Sequence, residues 1–297
     1  MYNKIIADAG STKVDWIVMT RKGEITSRVT TDGINALLLP EEEAEEVFAE
    51  VRNRIADHAG DNPDIHYYGA GCATPEICLK IEEALRRVWN PTEVSVSSDL
   101  LGAARALFGD RSGIACILGT GSNSCLYDGR EIASHVPSLG YILGDEGSGA
   151  ALGKRLVADV FKGVMDEGVR KTFIDWSGLT LSEILDKTYR SKAPNRFLAS
   201  LVPFLKENLW NPHVYSLVLE ELTDFFRRNV AMYKGAHSLP VSFIGSVAAQ
   251  FENILREAAS SQGYSVSEIH VSPIEGLAEY HKEKAETERP GLATGGY

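Results

Sequence analysis

Residues 4–20, KIIADAGSTKVDWIVMT, contain two apolar runs separated by a short turn rich in Gly, Ser and Thr. The Ile and Val content of both runs predicts two strands joined by a hairpin turn at residues 8–13. Residues 114–127, IACILGTGSNSCLY, repeat this arrangement around a second turn at residues 119–123. The sequence therefore predicts two structural units that begin in the same way.

Strand and helix patterns alternate after each hairpin, as in α/β proteins. Apolar residues spaced three and four apart predict helices near 41–59, 75–88, 99–108, 148–165, 181–190, 196–209, 214–234, 247–262 and 276–285. Short apolar runs predict further strands near 24–30, 65–69, 92–97, 131–136, 241–244 and 269–271. We expect an α/β protein with an N-terminal domain at residues 1–110 and a C-terminal domain at residues 111–297, which carries extra helices and a frayed tail from residue 286.

The composition excludes several function classes. The 297 residues include 30 Lys and Arg against 41 Asp and Glu, so the net charge of −11 disfavours nucleic acid as a partner. The four cysteines form no C-x-x-C pair, which disfavours structural zinc and iron-sulfur clusters and predicts free thiols. Neither a signal peptide nor an apolar run of about 18 residues is recognisable, so we expect a cytoplasmic protein without a membrane segment.

Neither of the common nucleotide-binding fingerprints fits the Gly-rich turns. Gly153-Lys154 is followed by Arg155, and residues 119–124 end in Ser before a strand, where a dinucleotide site needs a helix. Each turn alone is typical of an ordinary hairpin, although its backbone N–H groups and hydroxyls could bind phosphate. Their pairing at the start of two α/β units favours two turns that clamp one polyphosphate across a cleft.

Five motifs occur in the order seen in a known family. They are Asp8-x-Gly-Ser-Thr-Lys, Ser98-Asp99, Leu118-Gly-Thr-Gly-Ser-Asn, Leu143-Gly-Asp-Glu-Gly-Ser and Ile244-Gly-Ser-Val. Over about residues 1–280 the chain resembles the BadF/BadG/BcrA/BcrD ATPase family of the actin, hexokinase and Hsp70 superfamily, and within it the N-acetylglucosamine kinases. Ala9 and Ser11 stand where the usual first turn of that family has glycines.

The resemblance implies two actin-like, ribonuclease H-like α/β domains around a central nucleotide and sugar cleft. It implies an ATP- and Mg²⁺-dependent kinase that phosphorylates the 6-hydroxyl of N-acetylglucosamine or a related amino sugar, and it suggests a homodimer. N-acetylmuramic acid, N-acetylmannosamine and glucosamine remain alternative substrates. The rival interpretations are an ATPase activator of acyl-CoA dehydratases or reductases, whose shared iron-sulfur cluster the cysteines do not fit, and a non-catalytic sugar or nucleotide sensor, which needs no base.

The resemblance also assigns roles to individual residues. The ATP phosphates would be bound by Gly10, Ser11, Thr12 and Lys13 in the first turn and by Gly119, Thr120 and Gly121 in the second. Asp8 would hold Mg²⁺, Gly245 and Ser246 would bind adenosine, and Asp99 would be the catalytic base. The sugar would be bound by Asn35, Asp99, Asn123 and Asp145.

Ordinary structural roles compete with these assignments. Asp8 could cap a turn, Asp99 could be a helix N-cap and Asp145 could be an acid that stabilises a helix start. Gly245 and Ser246 could form a plain strand-to-helix turn. The histidines, including His135 and His213, show no ligand spacing, and we expect structural roles for them.

Overall fold

The computed structural model describes residues 3–37 and 40–287. Its contacts divide the chain into two compact units, Met1–Gly109 with the C-terminal segment from Pro273, and Asp110–Ser272. Each unit contains one five-stranded mixed sheet with helices packed against it. The predicted α/β class is confirmed.

The strands in chain order are β1 (Lys4–Ala9), β2 (Lys13–Met19), β3 (Ile25–Asp32), β4 (Asp64–Gly69), β5 (Glu93–Ser98), β6 (Gly113–Leu118), β7 (Ser122–Tyr127), β8 (Ile132–His135), β9 (Val241–Ile244) and β10 (Val266–His270). The helices are α1 (Glu41–Ala59), α2 (Pro75–Trp89), α3 (Asp99–Phe108), α4 (Gly140–Leu143), α5 (Gly149–Phe161), α6 (Glu167–Ser177), α7 (Leu181–Tyr189), α8 (Pro194–Ala199), α9 (Val202–Glu207), α10 (Pro212–Arg228), α11 (Ser246–Gln250), α12 (Glu252–Ser261) and α13 (Ile274–Thr287). Among these helices, none is long and apolar enough to cross a bilayer.

The two sheets have the same topology. The first has the order β3-β2-β1-β4-β5, and the second has the order β8-β7-β6-β9-β10. In each sheet the first three strands form an antiparallel meander, and the last two run parallel to the first strand. The repeated opening seen in the sequence is therefore a repeated sheet.

The parallel strands of each sheet end together. In the first sheet Ala9 is in register with Gly69, and Gly69 with Ser98. In the second sheet Ile117 is in register with Ile244, and Ile244 with His270. Ligands of α/β sheets bind beyond these carboxyl ends, and most of the predicted site residues follow them directly.

Helix α13 packs with the first unit, although the sequence analysis placed residues 273–297 in the second domain. Ile274 and Leu277 join a buried cluster with Ile6 and Tyr68. At Gly276 a Cβ atom would lie 2.4 Å from the carbonyl oxygen of Ala106, so this glycine lets α13 approach α3 closely. Apolar periodicity identifies a helix but does not say which sheet it covers. The sequence analysis therefore did not predict that α13 packs on the first sheet.

Several helix boundaries also differ from the prediction. The helix predicted at 196–209 is divided into α8 and α9, with Pro203 in the first turn of α9, and the helix predicted at 247–262 is divided at Phe251. The sequence analysis missed α4 and α6. The first two residues of the predicted frayed tail, 286–287, are the end of α13, and the rest of the tail lies outside the described residues.

A polar cluster lies beneath α13 in the first unit. The rings of His66 on β4 and His281 on α13 stack with centroids 4.0 Å apart. The Tyr68 hydroxyl lies 2.9 Å from Nε2 of His281 and accepts a hydrogen bond from Arg105 at 3.0 Å. Burial, together with the positive charges of Lys4 and Arg105, lowers the pKa of His66 to about 4. Burial, then His66 and the same two charges, lowers the pKa of His281 to about 2.

This cluster predicts a loss of stability in acid. Because both histidines have a lower pKa in the folded than in the unfolded chain, the unfolded state takes up protons first as the pH falls below about 6.5. The unfolding free energy of wild type should fall between pH 7 and pH 5. In His281→Phe, which lacks one of the two titrating rings, we expect this fall to be smaller by about 2 kcal/mol. Urea unfolding at both pH values measures this difference. Equal pH dependence of the two proteins would contradict the prediction.

Candidate active site

The first Gly-rich turn is held from one side by the segment at Gly33. The Gly10 N–H donates to the Lys13 carbonyl at 3.0 Å, the Gly33 N–H to the Thr12 carbonyl at 3.0 Å and the Ile34 N–H to the Gly10 carbonyl at 3.1 Å. A Cβ atom at Gly33 would lie 2.4 Å from the Ser11 carbonyl group. Glycine is therefore required at position 33 for this approach, a role that the sequence analysis missed.

Two aspartates lie side by side on β1 and β2, next to this turn. Asp8 is directly opposite Asp15 in the antiparallel register, and Asp8 is half-buried. Asp15 forms an ion pair with Lys13 and accepts a hydrogen bond from the Thr30 hydroxyl at 2.8 Å. The ammonium of Lys13, which the sequence analysis assigns to phosphate binding, is thus paired with a carboxylate on its own strand, β2.

Asp99 is the first residue of α3, directly after β5. The N-cap of this helix is Ser98, whose hydroxyl accepts from the Leu101 N–H at 3.2 Å, so the interpretation of Asp99 as the N-cap is wrong. Oδ1 of Asp99 accepts from the Leu100 N–H at 2.8 Å. The backbone N–H of Asp99 is a second donor to the same carboxyl. Burial raises the pKa of this carboxyl, and the Leu100 N–H opposes that shift.

Tyr67 and Cys72 lie near Asp99 at the same end of the first sheet. The Tyr67 hydroxyl is fully buried and has no hydrogen-bond partner among residues 3–37 and 40–287. Burial raises the pKa of Tyr67 well above its usual range, and Cys72, Asp8 and Asp99 raise it further. Sequence reasoning missed Tyr67, because a tyrosine in an apolar strand is typical of a core position.

Asn35 lies against the loop that follows β4. Its Oδ1 accepts from the Leu37 N–H at 3.1 Å, and the Ala36 N–H donates to the Ala70 carbonyl at 2.9 Å. Gly71 has φ +81°, and a Cβ atom there would lie 2.3 Å from Asn35 Oδ1. The first unit therefore connects the turn at Gly10, the amide of Asn35 and the end of β4 through consecutive backbone contacts.

The second Gly-rich turn is held by the start of α5. The carbonyl oxygens of Gly119 and Thr120 accept from the N–H groups of Gly149 and Ala150 at 2.8 Å and 3.0 Å. A Cβ atom at Gly119 would meet no heavy atom within 4 Å. The space beside Gly119 is therefore open.

Gly245 brings the predicted adenosine motif against this turn. Its φ is +127°, and a Cβ atom would lie 2.1 Å from the Leu118 carbonyl oxygen. Its N–H donates to the His270 carbonyl at 2.8 Å. The ends of β6, β9 and β10 are therefore joined at one glycine, and Ser246 begins α11 immediately beyond it.

Asp145 is buried in a left-handed backbone conformation with φ +57°. Its Oδ1 accepts from the Ser122 N–H at 3.2 Å, and its carbonyl accepts from the Ser148 N–H at 3.0 Å. Since Ser148 is the N-cap of α5, Asp145 lies before the helix, three residues from its N-cap. Burial raises the pKa of Asp145 to about 6, Glu146 adds to this shift, and the Ser122 N–H opposes it.

Asn123 on β7 is paired with a histidine that the sequence analysis treated as structural. Oδ1 of Asn123 accepts from the Ser124 N–H at 3.0 Å and lies 2.9 Å from Nε2 of His135 on β8. The second unit therefore brings Asn123, Asp145 and His135 close to the backbone of residues 122–124. His135 was missed because its proximity depends on strand register, which a lone histidine does not signal.

Three of the four cysteines, Cys72, Cys116 and Cys125, are buried. All four are free thiols, as predicted. Cys116 and Cys125 are buried in the second unit, and burial raises the pKa of both thiols. Among residues 3–37 and 40–287, no group of three or more His, Cys, Asp or Glu side chains is placed to hold a metal ion.

Comparison with known proteins identifies a family. The model of the BadF/BadG/BcrA/BcrD ATPase family matches residues 7–206. The solved structure of a candidate N-acetylglucosamine kinase from Porphyromonas gingivalis is 44% identical to this chain, with a TM-score of 0.91, and the match covers 95% of this chain and 99% of that one. No curated protein matches.

More distant structures share the fold. A candidate N-acetylglucosamine kinase from Chromobacterium violaceum is 17% identical, with a TM-score of 0.74 and coverage of 94% of this chain and 99% of that one. A ROK family glucokinase from Streptomyces griseus, solved with glucose and AMPPNP, is 16% identical, with a TM-score of 0.54 and coverage of 97% and 100%. These matches agree with the expected actin-like ATPase fold in both units.

Two glycine substitutions test the backbone arrangement of the second unit. We expect Gly245→Ala to lower the unfolding free energy by at least about 2 kcal/mol, because the new Cβ would meet the Leu118 carbonyl in a strained conformation. We expect Gly119→Ala to change it by less than about 0.5 kcal/mol, because its Cβ would enter open space. Urea unfolding of both variants measures the difference, and equal stabilities would show that the Leu118–Gly245 contact does not constrain the fold.

Proposed function

The chain belongs to the BadF/BadG/BcrA/BcrD ATPase family, and we propose that it is an ATP-dependent kinase that phosphorylates the 6-hydroxyl of N-acetylglucosamine or a closely related amino sugar. The observation that carries this proposal is the carboxylate of Asp99. It follows a parallel strand, its pKa is raised by burial, and its Oδ1 is held by the Leu100 N–H. The similarity to the candidate kinase from P. gingivalis supports the choice of sugar.

Asp99 fits the role of general base. A base works best when its pKa lies near the operating pH, and burial moves the pKa of Asp99 in that direction. Oδ1 is fixed by the Leu100 N–H, which leaves Oδ2 to accept the proton of the sugar 6-hydroxyl as that oxygen attacks the γ-phosphate. A non-catalytic sensor would not require this group.

The two Gly-rich turns are the proposed phosphate-binding elements. Gly10, Ser11, Thr12 and Lys13 in the first unit, and Gly119, Thr120 and Gly121 in the second, would supply backbone N–H groups, hydroxyls and one ammonium. The open space beside Gly119 supports this role because phosphate oxygens need a close approach to backbone. Gly245 and Ser246 would bind adenosine beside the second turn.

Asp8 is the proposed Mg²⁺ ligand. Mg²⁺ in kinases binds one or two carboxylates and completes its octahedron with phosphate oxygens and waters, so one half-buried carboxylate at the end of β1 suits it. Bound there, the ion would neutralise charge on the phosphates. Asp15, directly opposite Asp8, adds negative potential at the same place.

The sugar would be held by amides and carboxylates. Asn35, Asn123 and Asp145 each have one oxygen fixed by a backbone N–H. Amides that are fixed in this way can donate and carboxylates can accept, which suits ring hydroxyls and an acetamido group. We further propose that the protein is cytoplasmic, acts in amino sugar metabolism and forms a homodimer.

A panel of sugars with Mg-ATP tests the proposal. We expect N-acetylglucosamine to be phosphorylated at the 6-hydroxyl, and glucose to react with a kcat/KM lower by roughly 5 to 150-fold, because polar groups that bind the acetamido group would be left unpaired. ADP release and mass spectrometry of the product measure both. Equal turnover of the two sugars would contradict the amino sugar assignment, and no turnover of any sugar would contradict the kinase assignment.

Asp99→Asn tests the base. The amide is nearly isosteric and keeps an oxygen for the Leu100 N–H, so we expect a folded protein with a normal melting temperature. Because the amide does not accept the hydroxyl proton, kcat should fall by roughly 10² to 10⁴. Calorimetry should show almost unchanged ATP affinity and modestly weaker sugar affinity.

Ser98→Ala is the matched control for this substitution. It removes the N-cap of the same helix and should cost about 1 kcal/mol of stability while leaving kcat near the wild-type value. If Asp99→Asn melted normally and kept more than about a tenth of wild-type kcat, Asp99 would not be the base.

A further inference from the structure

His135 is the last residue of β8 and lies at the edge of the second sheet. It is in register with Cys125 on β7, and Asn123 lies two residues before Cys125 on the same face. This register brings Nε2 of His135 to 2.9 Å from Oδ1 of Asn123. The contact is between neighbouring strands and does not depend on a flexible loop.

The hydrogen bonds around Asn123 determine which ring nitrogen carries the proton. Oδ1 of Asn123 accepts from the Ser124 N–H at 3.0 Å, so the atom that faces His135 is the amide oxygen and not the nitrogen. Nε2 of His135 must therefore be the donor. In the neutral ring Nδ1 then carries a lone pair, and burial lowers the pKa of His135, which favours the neutral ring.

Two polar atoms of this pair are left without partners in the described part of the chain. Nδ2 of Asn123 carries two donors, and Nδ1 of His135 is an acceptor. A third polar group, Asp145, is attached to the same strand, because its carboxylate accepts from the backbone N–H of Ser122, the residue before Asn123. A donor, a neutral acceptor and a carboxylate are thus held at two consecutive residues of β7, Ser122 and Asn123.

We propose that His135 is a sugar-specificity residue: its Nε2–H holds the Asn123 amide with Nδ2 turned outward, and its Nδ1 accepts a hydrogen bond from a hydroxyl of the bound amino sugar. The inference rests on the proposed function. Alternating donors and acceptors at fixed spacing discriminate between sugars that differ in the orientation of a hydroxyl, because a misplaced hydroxyl leaves a site group unpaired.

The test compares His135→Leu with His135→Gln in the full chain. Leu has a similar size but no polar atoms, whereas Gln offers an N–H₂ group to Asn123 and an oxygen in place of Nδ1. We expect His135→Leu to weaken N-acetylglucosamine binding roughly 5 to 150-fold, the effect of leaving one or two polar groups unpaired. We expect His135→Gln to recover most of that loss, with kcat and the KM for ATP within about twofold of wild type in both variants.

His213→Leu is the control, because His213 is also a partly exposed histidine of the second unit and lies beside Asp166, outside the proposed site. Calorimetry with N-acetylglucosamine, steady-state kinetics and melting temperatures measure all three variants. Unchanged sugar affinity in His135→Leu, or equal losses in the Leu and Gln variants, would overturn the inference. Wild type that phosphorylates no amino sugar would instead contradict the proposed function, so the two failures are distinguishable.

Discussion

The arrangement of the site depends on how closely backbone segments approach each other at the ends of the parallel strands. In the second unit, Gly245 packs against the Leu118 carbonyl at a distance that no other residue permits, and this contact joins β6 to β9. In the first unit, Gly33 packs against the turn at Ser11 in the same way. Both Gly-rich turns are then held through their carbonyl oxygens, by the Ile34 N–H in one unit and the Gly149 N–H in the other. A phosphate-binding turn works best when it is fixed before the ligand arrives, since ordering it later costs binding energy.

The repeated sheet carries different chemistry in its two copies because function depends on the residues that follow each strand. After β5 the chain enters α3 through Ser98 and Asp99, which supplies a carboxylate. The corresponding strand of the second sheet, β10, ends at His270, whose carbonyl accepts from Gly245. The second unit instead gains its polar groups from β7 and from the loop that contains Asp145. One topology thus carries a candidate base in the first unit and candidate sugar-binding groups, Asn123 and Asp145, in the second.

Much of the fold could be predicted from local patterns. The bounds of α1, α3 and β9 agree with the apolar spacing, because caps and breakers lie close to their ends. The position of α13 on the first sheet could not be predicted, because it depends on the approach of Gly276 to Ala106 across the chain. The order of the motifs identified the family and both turns. The contact of His135 depends on strand register, and the unpaired hydroxyl of Tyr67 depends on burial, so neither could be predicted from the sequence.

Asp99 and Asp145 show why burial alone does not identify a catalytic carboxylate. Burial is the largest cause of the raised pKa in both, and each accepts a backbone N–H. They differ in what surrounds the remaining oxygen. Oδ2 of Asp145 lies near Gly121, where a Cβ atom would be 3.1 Å away, so it faces the backbone of the second turn. Asp99 lies near the Tyr67 hydroxyl, because its charge helps to raise the pKa of Tyr67, and that buried hydroxyl has no hydrogen-bond partner among residues 3–37 and 40–287. A buried hydroxyl without a hydrogen-bond partner costs stability, and such costs are typical of sites that bind a ligand. These surroundings, rather than the direction of the pKa shift, support the proposal that Asp99 is the proton acceptor and Asp145 a recognition group.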